Sequence, residues 1–404
     1  MVQPSELGKG TSMDFRFTPE QEQLEKEVYT YLKGNIPPEL DDEMITHAEG
    51  EGPIARGFTR RMGCDGWTGI GWPTEFGGQG RTPLEQYIFF DLAMGYFRIP
   101  IPSLSLMTVG PTLMRVGSQE QRQRFLPPIL TGDIQFGIAY TEPEAGTDLF
   151  SLKTTAIKDG ADYVINGQKI FTSSGQNVDY FWLAARTNPH AKHQYEGISI
   201  FLVDAKSPGI SIQPMHVMSE FAIAQEFFES VRVPKECLVG EENLGVMYMV
   251  TQLAHERISL VPHSATVRMI EDTTLWARST RRNGSPIGDE PWVRNKLAEL
   301  TVESEVLKIL NHRVAWQMTK EETPHVESAM IKVFGSEHIV RTTRACQEIM
   351  GQFGQLQLGS KWAPLGGWIE RLSRMYLLLT FGGGTNEVMR DIMATMGLGL
   401  MKSR

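Results

Sequence analysis

Residues 136–175, FGIAYTEPEAGTDLFSLKTTAIKDGADYVINGQKIFTSSG, contain the pattern from which the fold of this chain can be worked out. They open with a short apolar run and then break into the small, hydroxyl-rich segment TEPEAGTD at 141–148. Glycine and small polar residues let backbone N–H groups approach a ligand closely. We therefore interpret 141–148 as a candidate ligand-binding loop.

Two β-like runs, 162–165 and 168–172, follow this loop and are joined by Asn166 and Gly167. Because both joining residues tolerate positive φ, the pattern predicts a β-hairpin that turns at Asn166-Gly167. The second run ends in FTSSG at 171–175, an aromatic residue followed by hydroxyls. A planar ligand could stack there and be hydrogen-bonded at its edge. An ordinary hairpin with a polar loop explains the same pattern without a ligand.

The rest of the chain divides into parts by its hydrophobic periodicity. Residues 13–133 read as mostly helical, with a helix start at Thr18. Residues 134–245 contain short β runs separated by turn residues, typical of an antiparallel barrel or sandwich. Residues 246–404 read as long helices with short loops, typical of a four-helix bundle with an added terminal helix. Residues 1–12 are interpreted as a disordered or tag-like leader.

Composition and charge exclude several classes of function. The 404-residue chain carries a net charge of −9, so no basic surface indicates binding to nucleic acid. No apolar run approaches the roughly 20 residues that a membrane span needs. The three cysteines, Cys64, Cys237 and Cys346, form neither a disulfide framework nor a zinc-ligand spacing. We therefore expect a cytoplasmic protein with no metal site.

The first C-terminal helix carries an acidic residue on its apolar stripe. We predict this helix at 246–282, with a kink at Pro262. Glu256 falls on the stripe between Leu253 and Leu260. Burial would raise the pKa of this carboxyl toward a value useful for proton abstraction. An ion pair with the neighbouring Arg257 explains the same residue without catalysis. Further helices are predicted at 292–319, 323–351, 368–378 and 386–397.

Taken together, these motifs resemble the acyl-CoA dehydrogenase family, whose members carry a TEPxAGSD loop and a GxKxWITNG strand. WPTEFGG at 72–78, VRVP at 231–234 and GGGTNEV at 382–388 match further family motifs in the same order. The resemblance implies an α+β multidomain fold with an N-terminal helical domain, a central antiparallel β-barrel domain and a C-terminal four-helix bundle. It also implies FAD-dependent dehydrogenation of an acyl-CoA thioester to a trans-2-enoyl-CoA, with an electron-transfer flavoprotein as acceptor.

The resemblance also assigns cofactor contacts, position by position. In the family the loop and the following strand hold the isoalloxazine ring and pyrophosphate of FAD. Two further positions, Glu348 and Gly351, match residues that contact the FAD of a neighbouring subunit. The remaining positions that match flavin contacts are Tyr140, Thr141, Thr147, Phe171, Ser173, Thr385 and Glu387.

The base departs from the family's commonest arrangement. In most members it is a Glu in the C-terminal motif, but Gly383 stands at that position here. A minority of the family, including isovaleryl-, long-chain and steroid-side-chain types, carries the base on the earlier helix in a phrase like LDxER. LAHER at 253–257 matches that phrase, so the resemblance implies Glu256 as the base, with Glu387 as the alternative carboxylate. The implied substrate contacts are Thr147, His255, Arg257 and the backbone N–H of Gly383.

A second departure concerns assembly. Where the family typically has an Arg that reaches the pyrophosphate across a subunit interface, this chain has Thr280, followed by Arg281 and Arg282. Both a homotetramer and an α2β2 heterotetramer therefore stay open. Three functions also stay open: a catalytic dehydrogenase, a partner subunit that supplies part of an FAD site, and a relative with altered flavin chemistry such as a desulfinase or oxidase. The helical base and the glycine motif favour a branched, cyclic or steroid-derived acyl group.

Overall fold

The computed structural model describes residues 16–47, 52–320 and 324–401, and gives only the backbone for 253–259. The predicted leader at 1–12 lies outside the described residues. Capping boxes at Thr18, Thr82 and Ser118 start three of the N-terminal helices, because each hydroxyl accepts a hydrogen bond from a backbone N–H three residues on. The N-terminal helices are α1 (Pro19–Asn35), α2 (Leu40–Glu43), α3 (Pro53–Cys64), α4 (Pro83–Phe90), α5 (Gly110–Val116) and α6 (Gln119–Leu130).

The central part is a mostly antiparallel sheet. Its strands are β1 (Phe136–Ala139), β2 (Thr155–Asp159), β3 (Asp162–Ser173), β4 (Tyr180–Arg186), β5 (Ile198–Asp204), β6 (Ile210–Met215), β7 (Ile223–Val233) and β8 (Leu238–Val239). They lie in the order β6-β7-β3-β2-β4-β5-β8, and β1 pairs in parallel with β4. The predicted antiparallel β domain is confirmed, but its sheet is not closed into a barrel, because no pairing among the described residues joins β6 to β8.

The predicted hairpin at Asn166-Gly167 is wrong. Both residues lie inside the single strand β3, where the register with β7 shifts between Ile165 and Gly167. The extra residue at this shift is in β7, where Glu229 and Ser230 lie opposite Asn166 alone, so β7 carries the bulge. The Asn166 carboxamide oxygen accepts a hydrogen bond from the backbone N–H of Ser230. The turn into β3 lies earlier, at Gly160 between β2 and β3.

The C-terminal part is helical, as predicted. Its elements are α7 (Gly245–Leu260), α8 (His263–Ser279), the short pair β9 (Arg281–Arg282) and β10 (Ser285–Pro286), α9 (Pro291–Met318), α10 (His325–Met350), α11 (Trp368–Met375) and α12 (Asn386–Ile392). Helix α10 packs against α7, α8, α9 and α12. None of the helices within the described residues is long and apolar enough to cross a membrane.

The prediction of one kinked helix over 246–282 is wrong, because the chain breaks into α7 and α8 at Val261 and Pro262. Pro262 has extended backbone angles and caps α8 instead of lying inside a helix. A proline removes the helical N–H and disfavours helical angles in the residue before it, which is Val261 here. The predicted cap of α10 at Thr323 lies outside the described residues.

Three buried charges lie at the centre of the sheet. The Lys169 ammonium is fully buried and lies 2.8 Å from the Glu142 carboxylate. Burial would raise the pKa of Glu142, but Lys169 and hydrogen bonds from the backbone N–H groups of Lys153 and Thr154 hold it below its usual value. Burial also lowers the pKa of Lys169 to about 8, although the attraction of Glu142 opposes that change.

The third buried charge is Glu226, which lies opposite Lys169 in the register of β3 and β7. Its Oε2 accepts a hydrogen bond of 2.8 Å from the Thr172 hydroxyl, and its Oε1 has no hydrogen-bond partner among the described residues. Burial raises the pKa of Glu226 to about 7, against smaller opposite effects of Thr172 and Lys169. Of the two carboxylates beside Lys169, Glu226 is therefore the one that takes up a proton near neutral pH.

This pKa predicts a pH-dependent stability. Glu226 holds its proton more tightly in the folded protein than at the reference pKa of 4.5, so its contribution is complete below pH 4.5 and is lost as the pH rises to about 7. The loss corresponds to about 3 kcal/mol of unfolding free energy. Glu226→Gln cannot ionise, so we expect the variant to gain stability relative to the wild type across this range. Denaturant unfolding at several pH values measures the difference.

Glu229→Gln is the control, because Glu229 lies on the same strand with its side chain exposed. Its stability difference from the wild type should not vary in that pH range. If the difference in unfolding free energy between Glu226→Gln and the wild type stays constant with pH, Glu226 does not have the raised pKa described above.

The close approach of Gly167 to Thr154 makes a separate prediction. A Cβ added at Gly167 would lie 2.6 Å from the Thr154 Cα, and its φ of 149° disfavours other residues. We expect Gly167→Ala to lower the unfolding free energy by roughly 1–3 kcal/mol. Gly34→Ala is the control, because an added Cβ there meets nothing within 4 Å and alanine favours the helix. If both variants are equally stable in thermal unfolding, the close approach of Gly167 to Thr154 is contradicted.

Candidate functional site

The 141–148 loop leaves the sheet at Tyr140, which is buried. Its hydroxyl donates a hydrogen bond of 2.7 Å to the Gln252 side-chain oxygen and accepts one of 2.8 Å from the Trp182 indole N–H. Its carbonyl accepts a hydrogen bond of 2.9 Å from Lys169. The next carbonyl, that of Thr141, accepts the backbone N–H of Ile170 at 2.9 Å. The start of the loop is thus fixed against β3 and α7.

The tip of the same loop is open. Gly146 has space around it, since an added Cβ would meet nothing within 4 Å, and Thr147 is exposed. Both carry backbone N–H groups at the surface of a loop whose base is anchored. Such an arrangement suits the close approach of a polar ligand group.

The end of β3 presents an aromatic ring to solvent. The register with β7 shifts again between Ile170 and Thr172, and Phe171 has a φ of 64°. As a result its side chain is 56% exposed, whereas Thr172 beside it is buried. Ser173 is half-buried, and Ser174 again has a positive φ. Positive φ at bulky residues is uncommon and costs energy, so its repetition here marks a candidate binding edge.

The candidate base lies on α7, but its side chain, with those of His255 and Arg257, lies outside the described residues. The described part of α7 adds a residue that the sequence interpretation missed. Gln252 lies four residues before Glu256 and is 4% exposed. Residues four apart share one face of a helix. The sequence places Gln252 three residues after the apolar Met249, but it gives no sign of the distant Tyr140 that Gln252 contacts.

The C-terminal glycine turn packs against the end of α7. Gly383 has a φ of 69°, and an added Cβ would lie 2.8 Å from the Leu260 Cδ1. Thr385 caps α12 by accepting a hydrogen bond from the backbone N–H of Val388, and Glu387 is exposed in the first turn. The turn is therefore brought next to the helix that carries Glu256.

The two remaining predicted residues lie at the end of α10. Glu348 is exposed and lines a small cleft of about 180 Å3 between α9 and α10. Gly351 has a φ of 58°, and a Cβ added there would lie 3.6 Å from the Arg282 guanidinium. Gly351 thus lies beside Arg282 of β9.

Within the described residues, no group of three or more His, Cys, Asp or Glu side chains could hold a metal ion. The residues present do fit a flavin. Phe171 is an exposed aromatic ring for stacking, the 141–148 loop offers open backbone at Gly146, and Gln252 carries a buried amide nitrogen without a hydrogen-bond partner among the described residues. Stacking surface, open backbone and a few convergent polar groups are the usual parts of a cofactor site.

Comparison with known proteins agrees with this geometry. Sequence models of the N-terminal, middle and C-terminal domains of acyl-CoA dehydrogenase match residues 18–133, 137–230 and 243–398. The chain is 40% identical to acyl-CoA dehydrogenase FadE26 of Mycobacterium tuberculosis, over 97% of this chain and 100% of the relative.

Two solved structures are similar in fold and in sequence. The structure titled "Tcur3481-Tcur3483 steroid ACAD" has a TM-score of 0.91 and 40% identity, and the ChsE4-ChsE5 complex of Mycobacterium tuberculosis has a TM-score of 0.89 and 40% identity. Each comparison covers 97% of this chain and 100% of the other. With three domain models matched in order along nearly its whole length, the chain belongs to the acyl-CoA dehydrogenase family, and it is an oxidoreductase that acts on CH–CH groups.

Proposed function

We propose that this chain dehydrogenates an acyl-CoA thioester between its α and β carbons, with bound FAD and with Glu256 as the base. The observation that carries the proposal is the packing of the Gly383 turn against Leu260, one turn beyond Glu256 on α7. Gly383 leaves no carboxylate at the family's usual base position, and α7 offers one beside it. Glu387 is the weaker candidate, because its side chain is exposed.

The residues of the site have distinct roles in this proposal. Glu256 takes the α-proton as a carboxylate, and desolvation among the apolar residues of its stripe would raise its pKa and make it a stronger base. The Gly383 N–H donates to the thioester oxygen as negative charge develops there, which a backbone donor can do without a side chain. Thr147, His255 and Arg257 bind the CoA part of the substrate. Bound FAD supplies the hydride acceptor for the β-hydrogen, which leaves a trans-2-enoyl-CoA.

In this proposal the loop, β3 and the C-terminal turn hold the cofactor. Phe171 offers the stacking surface, and Ser173 lies at the edge of that surface. Thr141 and Thr147 belong to the loop that would hold the pyrophosphate, and Tyr140 anchors it. Thr385 and Glu387 complete the site from the C-terminal turn. An electron-transfer flavoprotein is the proposed electron acceptor.

We further infer that the chain assembles with a second type of subunit. Three exposed apolar residues on α9, Val302, Val306 and Ile309, lie four and three residues apart on one face, and this face needs a partner surface. Two of the similar structures carry two component names in their titles, and one is titled a steroid enzyme. A steroid-derived acyl group and an α2β2 assembly are therefore the favoured substrate and state. Thr280 at the interface position also supports a second candidate role, that of a subunit completing its partner's site.

The base assignment is tested by anaerobic addition of acyl-CoA thioesters to the flavin-bound enzyme. The wild type should lose its yellow colour as the flavin is reduced. We expect Glu256→Gln to bind flavin normally but to bleach roughly 10²–10⁴-fold more slowly, because it lacks the base. Glu387→Gln tests the competing carboxylate. Normal bleaching in Glu256→Gln, with loss in Glu387→Gln, would reassign the base.

The assembly is tested by the flavin content and the size of the purified protein. We expect little bound flavin when the chain is expressed alone and one flavin for each completed site when it is co-expressed with a second acyl-CoA dehydrogenase chain of the same organism. Light scattering should show a tetramer that contains both chains. A flavin-saturated homotetramer of the single chain would contradict this inference.

A further inference from the structure

Three buried side chains form a directed hydrogen-bond chain that runs from the sheet to α7. The Trp182 indole N–H donates to the Tyr140 hydroxyl at 2.8 Å, and that hydroxyl donates to the Gln252 Oε1 at 2.7 Å. Trp182 is fully buried, and Tyr140 and Gln252 are 5% and 4% exposed. Water therefore has little access to any of the three groups.

Hydrogen-bond chemistry fixes the direction of this chain. An indole N–H can only donate, so the Tyr140 oxygen accepts a hydrogen bond from Trp182. The Tyr140 hydroxyl has one proton, and it donates this proton to the Gln252 Oε1. Gln252 must consequently present its oxygen to Tyr140. Its Nε2 then points away from the chain, and no hydrogen-bond partner for it exists among the described residues. A buried donor without an acceptor destabilises the protein, and a bound ligand that supplies the acceptor removes this cost.

The position of Gln252 indicates where that acceptor lies. Gln252 shares a face of α7 with Glu256, and Tyr140 leads directly into the 141–148 loop. The segment Ser105–Val109 also packs against α7, and the buried Thr108 hydroxyl there likewise has no hydrogen-bond partner within the described part of the chain. Two elements that pack against each other thus each carry a buried polar group without a partner among the described residues.

We propose that Gln252 is a positioning residue whose Nε2 donates a hydrogen bond to a carbonyl-type oxygen of the ligand bound between α7 and the 141–148 loop. This inference rests on the proposed function. The acceptor is a carbonyl of the flavin ring or an oxygen of the acyl group, since both present the same chemistry. A neutral amide suits this site because, unlike Lys or Arg, it brings no charge into an apolar region near a base.

A purely structural role for Gln252 would be to satisfy Tyr140, and the experiment separates the two roles. Tyr140→Phe removes the hydroxyl, so that a further Gln252→Met change leaves no tyrosine proton unmatched. The comparison of Tyr140→Phe with the double variant Tyr140→Phe/Gln252→Met therefore reports the loss of the Gln252 amide apart from its contact with Tyr140. Thr251→Val is the control, because the Thr251 hydroxyl donates to the Met247 carbonyl of its own helix.

FAD retention on dilution and the visible flavin spectrum are measured on the co-expressed enzyme, followed by spectral titration with acyl-CoA. We expect the double variant to bind one of the two ligands about five- to tenfold more weakly than Tyr140→Phe. A change in FAD retention and in the spectrum without substrate assigns the acceptor to the flavin. A change confined to the acyl-CoA titration assigns it to the acyl group.

Affinities within about twofold of each other for both ligands would overturn the inference and leave Gln252 as a partner of Tyr140 only. Should the double variant fail to fold, Gln252→Asn decides, because it keeps an amide but withdraws it by one methylene. An unchanged affinity for both ligands in Gln252→Asn would likewise overturn the proposal. Absence of flavin from every preparation, the wild type included, would overturn the proposed function and this inference with it.

Discussion

The buried ammonium of Lys169 is the constraint on which the candidate site depends. It bonds the Glu142 carboxylate and the Tyr140 carbonyl, and so fixes the start of the 141–148 loop to strand β3. Removal of one partner of such a buried pair leaves a charge without compensation, which costs about 3–5 kcal/mol. With the loop fixed, the Tyr140 ring has a single direction, and its hydroxyl reaches α7. The buried Lys169 ammonium thereby helps to fix the position of the sheet relative to α7, the helix that carries the proposed base.

The sequence predicted the fold well where a pattern is repeated along the chain. The order of helices, sheet and helices, the start of α1 at Thr18 and the helical C-terminal part follow from periodicity and caps. Local signals were weaker. Asn166-Gly167 predicts a turn only if the chain is free to reverse there, and pairing with β7 keeps it extended opposite a bulge in β7. The effect of Pro262 was underestimated, because a proline next to the extended Val261 ends one helix and starts another.

The candidate site was predictable in its motifs but not in its supporting contacts. Tyr140, Phe171 and Gly383 could be picked out because their neighbours in sequence form recognisable phrases. Gln252 and Glu226 could not, because their meaning lies in partners that are distant in sequence: Tyr140 is 112 residues from Gln252, and Thr172 is 54 residues from Glu226. The polar groups that tune a site are set by tertiary contacts, which no local pattern reports.

Gly383 also restricts which substitutions the C-terminal turn of the candidate site can accept. A glutamate there would need a left-handed backbone, which costs a non-glycine residue roughly 1 kcal/mol, and its Cβ would lie against Leu260. The Leu260 side chain would have to shift its Cδ1 away from the turn to make room for that Cβ. In the proposed arrangement, both the backbone at 383 and the Leu260 side chain therefore oppose a carboxylate on the C-terminal turn and favour one on α7.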